Sequence, residues 1–329
     1  MAKGLTVRML FEENGEQLGL GLVAGEKGLD KTVYSREIHR PGLALAGFVD
    51  LYTFDRVQLL GNTEMLYLRE RPEAEQRAAL ETIYQFDLPC VIVTGDYDPV
   101  PVLIELANRT SIPLLKTGFA TTKFIHLFTL YLEDYFAARI TLHGSLVDVY
   151  GIGLLITGRS GIGKSEIALD LVERGHRLVA DDHIIVTRRT QGILVGTGSE
   201  LTRENIEVRG IGIVDVRRMF GVRGVRREKR IEVEVHLVDW DDSVAYERLG
   251  IEDKTTLLLD VEIPLVTVPI FPGKNITVIA EVIALNHLLK THGHHPAREL
   301  DERLRREIRQ RGPAPAVSRP SRRGRRSGR

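Results

Sequence analysis

Residues 147–158 (VDVYGIGLLITG) run directly into residues 158–165 (GRSGIGKS), and this junction decides the fold. The first stretch is apolar and rich in strand-forming residues, which is typical of a buried strand. The second satisfies the G-x-x-x-x-G-K-[ST] pattern of a phosphate-binding loop. Residues 165–175 (SEIALDLVERG) follow with helical spacing and stop at a glycine. A strand, a glycine-rich loop and a helix in this order predict an α/β nucleotide-binding domain.

The residue types of this loop suit phosphate chemistry. Glycines let consecutive backbone N–H groups turn towards an anion, and the start of a helix adds the positive end of its dipole. Lys164 supplies a point charge to the β- and γ-phosphates, and the Ser165 hydroxyl can ligate Mg²⁺. The alternative is a structural glycine turn, but the flanking strand and helix favour phosphate binding. The predicted cofactor-binding residues are Gly158, Arg159, Ser160, Gly161, Ile162, Gly163, Lys164 and Ser165.

Two carboxylates follow the next apolar run. Residues 177–180 predict a strand that ends in Asp181 and Asp182, so both side chains should emerge at the same edge of the sheet as Lys164. One can face the site while the other acts as a metal or supporting ligand. An aspartate near a γ-phosphate can accept a hydroxyl proton or hold Mg²⁺. The alternative is an Asp-Asp turn that closes the strand.

Composition limits the class of protein. The chain has 329 residues, of which 43% are hydrophobic and 27% charged, with a formal net charge of zero. Cys90 is its single cysteine, so an intrachain disulfide is excluded and a reducing compartment fits best. The N-terminus lacks the apolar core of a signal peptide, and no apolar run reaches membrane-spanning length. We therefore expect a cytoplasmic protein.

Three segments are expected along the chain. Residues 1–131 alternate strands with helices and predict an N-terminal α/β domain of structural or regulatory role. Residues 132–310 contain the loop and predict the catalytic domain. Residues 311–329 are rich in Arg, Ser, Pro and Gly without an acidic residue, which predicts a disordered basic tail. The alternative for the tail is attraction to nucleic acid or a membrane.

Six motifs together carry a family resemblance. They are LHGSLVDVYGIGLLITG (142–158), GRSGIGKSE (158–166), RGHRLVADD (174–182), IEVRGIGIVDV (206–216), YERLG (246–250) and PIFPGKN (269–275). With these motifs, residues 140–289 resemble HPr kinase/phosphorylase, the bacterial enzyme that phosphorylates a serine of HPr in the sugar phosphotransferase system. The resemblance implies an N-terminal α/β domain followed by a P-loop kinase domain similar to the nucleotide-binding core of phosphoenolpyruvate carboxykinases.

The resemblance also implies roles for single residues. Asp182 matches the general base of phosphorylation, which acts as general acid in the reverse direction, and His143 matches the histidine that assists it. Lys164 matches the loop lysine, and Arg248 matches an active-site arginine. The implied Mg²⁺ ligands are Ser165 and Glu207. The residues expected to support the site are Asp181, Arg209, Gly210 and Gly212.

A further loop is implied to serve mainly the dephosphorylation reaction. Its residues are Pro269, Ile270, Phe271, Pro272, Gly273 and Lys274. Members of the family usually carry valine and arginine near the middle of this loop, where this chain reads PIFPGK. In that reaction inorganic phosphate attacks phosphoserine-HPr and yields pyrophosphate. The altered sequence bears on how strong the reverse activity is.

The implied cofactors and partners follow the same resemblance. They are Mg²⁺, ATP as donor, phosphate and pyrophosphate as co-substrates, HPr as substrate and a homohexameric assembly, with neither a membrane nor a nucleic acid as partner. Two alternatives remain open: a small-molecule P-loop kinase related to carboxykinases, which should carry additional metal-binding His and Asp positions that we do not find, and a nucleotide-dependent sensor without transfer activity. His292, His294 and His295 are interpreted as a surface turn.

Overall fold

The computed structural model describes residues 4–243, 254–271 and 273–311, without the side chains of residues 308–311. The chain forms two compact units, Met1–Ala138 and Arg139–Arg329. Beyond Arg311, the predicted tail lies outside the described residues. No helix of the described chain is both long and apolar enough to span a membrane.

The first unit is built on a five-stranded sheet. The strands of this unit are β1 (Leu5–Thr6), β2 (Leu20–Ala24), β3 (Thr32–Val33), β4 (Ile38–His39), β5 (Val57–Leu60), β6 (Val91–Thr94) and β7 (Leu114–Thr117). Its helices are α1 (Val7–Leu18), α2 (Gly42–Leu45), α3 (Asn62–Arg69), α4 (Glu73–Tyr84), α5 (Pro101–Thr110) and α6 (Thr121–Tyr135). The sheet order is β2-β7-β6-β5-β4, in which β4 to β7 are parallel and β2 is antiparallel. Strands β1 and β3 pair separately.

Both faces of this sheet are covered by helices. Leu60 and Val93 pack with α4 and α5 on one face. Leu59 and Ile92 pack with α1 and α6 on the other. Strands buried on both faces must be apolar at nearly every position, and β5 and β6 are apolar except at Gln58 and Thr94. The predicted α/β class is therefore confirmed for this unit.

The second unit is built on an eight-stranded mixed sheet. The strands of this unit are β8 (Arg139–Val149), β9 (Ile152–Gly158), β10 (Arg177–Arg189), β11 (Ile193–Gly198), β12 (Asn205–Val208), β13 (Gly212–Asp215), β14 (Glu228–Arg230), β15 (Val233–Asp239), β16 (Thr255–Leu258) and β17 (Val261–Ile270). Its helices are α7 (Lys164–Glu173), α8 (Val216–Phe220), α9 (Ile276–Thr291) and α10 (Pro296–Arg311). The sheet order is β14-β11-β10-β8-β9-β15-β17-β16, and β12 pairs with β13 as a separate hairpin.

Strand β9 lies in the middle of the large sheet. β9 is parallel to β15 on one side and antiparallel to β8 on the other, and β15 is in turn parallel to β17. Apolar residues of β9 face α7 and α9 on one side, including Leu154 and Ile156. Leu155 packs on the opposite face with Leu146 and Ile184. The central position of β9 fixes the start of the phosphate loop with strands on both flanks.

The predicted end of the strand at Asp182 is wrong. β10 continues to Arg189, because its pairing with β8 and β11 extends beyond the two aspartates. Asp181 pairs with Ser145 and Asp182 with Gly144, both within β8. Asp182 has a φ of 64°, which is unusual for a non-glycine residue. The aspartates therefore lie inside a long strand, which excludes the alternative of an Asp-Asp turn that closes it.

Candidate active site

The site lies where β9 ends and its neighbours continue. Ile156 of β9 pairs with Ser145 of β8, and Ser145 pairs with Asp181 of β10. These pairings place Asp181 level with the last residues of β9, where the glycine-rich loop begins. Strands β8 and β9 are antiparallel, as are β8 and β10, so β9 and β10 run in the same direction. The aspartates and the loop thus meet at one level of the sheet, as the sequence predicts.

The loop itself depends on glycine. Gly161 and Gly163 have φ values of 78° and 104°, which are accessible to glycine at little cost. Gly163 immediately precedes α7, so the N-terminus of this helix opens towards the loop. Nζ of Lys164 donates hydrogen bonds of 3.1 Å to the carbonyl oxygens of Gly158 and Arg159. The lysine therefore lies folded over the loop, where it can reach a bound phosphate.

Two other loop residues anchor the loop to the protein. Ile162 is buried and packs in the core beneath α7. Arg159 donates hydrogen bonds of 2.6 Å and 2.7 Å to the two carboxylate oxygens of Asp239 at the end of β15. This pairing holds the pKa of the Asp239 carboxyl below its usual range. Ser160 is exposed. The loop is thus fixed at its centre and on the β15 side.

Asp181 is a buried carboxylate next to the loop helix. Its side chain accepts a 2.5 Å hydrogen bond from Oγ of Ser145 at Oδ1, while Oδ2 is buried without a hydrogen-bond partner among the described residues. Burial raises the pKa of Asp181, and hydrogen bonding to Ser145, Ser165 and the backbone of Glu207 opposes the rise. An unsatisfied carboxylate oxygen beside the Ser165 hydroxyl is a donor set of the type that a hard dication takes.

Asp182 points out to solvent between two histidines. Its Oδ1 lies 3.3 Å from Nδ1 of His143, and its Oδ2 lies 2.7 Å from Nδ1 of His183. All three side chains are more than half exposed. The carboxylate is therefore open to an incoming hydroxyl group and is held in place by neighbouring rings.

Glu207 and its neighbours belong to the β12–β13 hairpin. Glu207 lies on β12 and is exposed. The hairpin turn contains Gly210, and Gly212 begins β13; both have positive φ. The guanidinium of Arg209 lies so close to Gly161 that an added Cβ there would be 2.6 Å from one of its nitrogens. The hairpin thus brings a cation to the phosphate loop and the backbone of Glu207 to Asp181.

The loop that follows β17 lies on the other side of the P-loop. Pro269 and Ile270 end β17, and Nζ of Lys274 donates a 2.9 Å hydrogen bond to the carbonyl oxygen of Pro269. Phe271 packs edge-on against Trp240. A cavity of about 470 Å³ separates this loop from the first turns of α7, with Gly273, Lys274, Glu166 and Asp170 in its lining. Pro272 lies outside the described residues.

The structure thus groups most, though not all, of the predicted residues. Five of them lie around the end of β9, namely His143, Lys164, Ser165, Asp181 and Asp182. Arg248 lies outside the described residues. His183 and Asp239 were missed by sequence reasoning: His183 directly follows the two aspartates, which is the one local signal that pointed to it, and Asp239 carries no motif.

The phosphate loop lies at the end of a central strand, with Lys164 folded over it and carboxylates at the same level of the sheet. This arrangement is that of a P-loop phosphotransferase. Two family models cover nearly the whole described chain: HPr Serine kinase N terminus matches residues 5–132, and HPr Serine kinase C-terminal domain matches residues 134–304. The chain belongs to the HPr serine kinase family.

Individual relatives agree with this assignment. The chain is 49% identical to HPr kinase/phosphorylase of Chloroherpeton thalassium over 93% of its own length and 91% of that protein. It is 45% identical to HPr kinase/phosphorylase of Prosthecochloris aestuarii, again over 93% and 91%. Among solved structures, the Hpr(Ser) kinase/phosphatase from Coxiella burnetii is 32% identical and covers 47% of this chain and 93% of its own, with a TM-score of 0.44.

Proposed function

We propose that this protein transfers a phosphoryl group from ATP, or from pyrophosphate, to a serine of HPr and also removes it by phosphorolysis. The observation that carries the proposal is the position of Asp182, an exposed carboxylate at the level where the phosphate loop begins. A serine hydroxyl is a weak nucleophile, so a carboxylate within reach of it is the expected base. Control of carbon metabolism is the physiological role that this substrate implies.

In the forward direction, Asp182 accepts the proton of the serine hydroxyl. The serine oxygen then bonds to the γ-phosphorus, and the bond from that phosphorus to the β,γ-bridging oxygen breaks, so that ADP leaves. Lys164 and the loop N–H groups hold the phosphates and stabilise their charge. Arg209, next to Gly161, adds a second positive charge at the loop. Arg248 is proposed as a further cation at this site.

The side chains also fit a magnesium ion. Ser165 and Glu207 would hold the ion, and the unpartnered Oδ2 of Asp181 would supply a third oxygen or orient a water bound to it. When bound, Mg²⁺ neutralises charge on the β- and γ-phosphates. Burial of Asp181 keeps this oxygen from being satisfied by bulk water.

In the reverse direction, the roles of the same groups exchange. An oxygen of inorganic phosphate bonds to the phosphorus of phosphoserine, the bond to the serine oxygen breaks, and protonated Asp182 gives its proton to that oxygen. Pyrophosphate is the product. The residues proposed to serve this direction are Pro269, Ile270, Phe271, Pro272, Gly273 and Lys274. Of these, Gly273 and Lys274 line the cavity beside α7.

Helix α10 is proposed to contact the protein partners. Leu300 and Leu304 lie one turn apart and are 54% and 50% exposed, while Arg305 and Asp301 form an ion pair on the same helix. An apolar pair among charges suits a protein interface. We propose HPr as the transient partner, a homohexamer as the assembly, the cytoplasm as the location, and a structural or regulatory role for the first unit.

The test is a pair of reactions with purified protein. The first contains Mg²⁺, ATP and HPr, and intact mass reports phosphoserine. The second contains phosphoserine-HPr and inorganic phosphate, and a coupled assay reports pyrophosphate. Product in both supports the proposal. ATP binding without phosphoserine contradicts it and favours a small-molecule kinase or a sensor.

A further inference from the structure

His143, Asp182 and His183 form a compact group of three potential metal ligands. Each residue offers one ligand atom, a ring nitrogen or a carboxylate oxygen, and these three atoms lie within 4.8 Å of one another. The two imidazole rings lie edge to face with their centroids 4.7 Å apart. His143 and His183 are direct partners across β8 and β10, so the pairing of the two strands fixes their proximity.

The backbone at Asp182 creates this arrangement. Successive side chains of a strand normally point to opposite faces. The φ of 64° at Asp182 interrupts this alternation, and Asp182 and His183 are both exposed, whereas Asp181 and Ile184 on either side are buried. Two consecutive side chains therefore converge with His143 on one solvent-facing patch.

Two imidazoles and one carboxylate are a ligand set for transition-metal dications. Zn²⁺ sites often use His and carboxylate ligands with bonds of about 2.0–2.2 Å and keep a position open for water or substrate. Ligand atoms around such an ion are about 3.3 Å apart in tetrahedral geometry. Nδ1 of His143 lies 3.3 Å from Oδ1 of Asp182, which equals this spacing, and Nδ1 of His183 lies nearer, 2.7 Å from Oδ2. Mg²⁺ prefers oxygen ligands, so the set discriminates between the two ions.

We propose that His143, Asp182 and His183 bind a transition-metal dication of the Zn²⁺ type, and that this ion inhibits phosphoryl transfer by occupying the Asp182 carboxylate. The inhibitory part rests on the proposed function, whereas metal binding does not. This site uses none of the proposed Mg²⁺ ligands Ser165 and Glu207.

Metal binding is tested on the full-length, metal-free protein. Co²⁺ is titrated while visible absorption is recorded, and Zn²⁺ is then used as competitor. His183→Ala is expected to weaken Zn²⁺ binding by at least about tenfold, as loss of one ligand implies. His294→Ala, at another exposed histidine, is the matched control and is expected to bind as wild type does. Equal Kd values for wild type and His183→Ala, or equal losses in both variants, would overturn the proposal.

Inhibition is measured separately. Phosphoserine formation is followed at saturating Mg²⁺ with increasing Zn²⁺, and each variant is compared with its own rate without Zn²⁺. Wild type and His294→Ala are expected to lose activity at the Zn²⁺ concentration that fills the site, whereas His183→Ala requires at least about tenfold more. Equal sensitivity of all three contradicts the inhibitory role. Zn²⁺ binding that depends on His183 in a protein unable to phosphorylate HPr supports the site and contradicts the proposed function.

Discussion

Nδ1 of His143 lies 3.3 Å from Oδ1 of Asp182, across two paired strands that continue past the end of β9. The pair is more than half exposed, so a large protein substrate has access to the carboxylate. An enzyme that acts on a serine of another folded protein needs such an open base. The buried Asp181, next in the chain, is shielded from a protein substrate and suits the metal instead.

Asp182→Asn is expected to reduce both phosphorylation and phosphorolysis by about 10²–10⁴-fold, because the amide can neither accept nor return the serine proton. The affinity for ATP should change little, since Lys164 and the loop glycines are untouched. Rates of phosphoserine and pyrophosphate formation, with nucleotide binding by calorimetry, check both parts. A variant with wild-type rates in both directions would remove Asp182 from the mechanism.

Asp181→Asn is expected to weaken Mg²⁺ binding by about 10–100-fold, because a neutral amide replaces the carboxylate whose Oδ2 is unpartnered. Titration of Mg²⁺ at fixed ATP, with nucleotide binding as signal, measures the change. Asp148→Asn is the matched control, since Asp148 is equally buried on β8 and also has one unpartnered carboxylate oxygen among the described residues, but its other oxygen pairs with Arg226. The same Mg²⁺ dependence in both variants would contradict a metal role for Asp181.

Gly161→Ala is expected to weaken ATP binding by at least about tenfold, or 1.4 kcal/mol, because the new Cβ would displace the Arg209 guanidinium from the phosphate loop. Gly151→Ala is the control. Gly151 also has a positive φ, 84°, so alanine there would be similarly strained, but nothing lies within 4 Å of the added Cβ. Both variants should lose about 1–2 kcal/mol of stability from left-handed strain. Equal nucleotide affinities in the two variants would contradict a phosphate-binding role for Gly161.

Lys274→Ala is expected to reduce phosphorolysis by about tenfold or more while phosphorylation stays within about threefold, since only the reverse reaction should use this side chain. Its Nζ supports the loop by its hydrogen bond to Pro269, and its chain lines the cavity beside α7. Lys290→Ala, at the far end of α9, is the control and should change neither rate. A parallel loss of both activities would place Lys274 in general stability or ATP binding.

Glu281→Gln is expected to destabilise the second unit by about 1–3 kcal/mol near neutral pH. Glu281 on α9 accepts hydrogen bonds of 2.9 Å and 2.6 Å from Arg174, and its Oε1 lies within hydrogen-bond distance, 3.0 Å, of Nε2 of His176. Arg174, with a smaller contribution from His176, holds the pKa of Glu281 below its usual range.

The sign of the pH dependence follows from that lowered pKa. The contribution of Glu281 is complete above the ordinary carboxyl pKa of roughly 4–5 and is lost as pH falls through the folded-state pKa. The difference in unfolding free energy between wild type and Glu281→Gln should therefore shrink in acid. Urea unfolding at several pH values checks this, and a difference that grows as pH falls would contradict it.

Sequence reasoning was strongest where the signal is local. The phosphate loop, α7 and the burial of β9 follow from residues within one continuous stretch, because loop geometry, helix period and strand apolarity are short-range properties. It was wrong at the end of β10. Whether a strand stops at Asp182 depends on pairing with β8 and β11, and those partners lie tens of residues away.

The sequence by itself determined the α/β class, the phosphate loop and the family, because each depends on residue type and order along the chain. Only the tertiary structure decided that His183 joins His143 at Asp182, that Arg209 lies against Gly161, and that Oδ2 of Asp181 is left unpartnered beside the loop helix. These are relations between distant segments, set by strand register, one left-handed residue and burial. A sequence pattern specifies which groups are present, whereas distances between them arise only when the sheet is assembled.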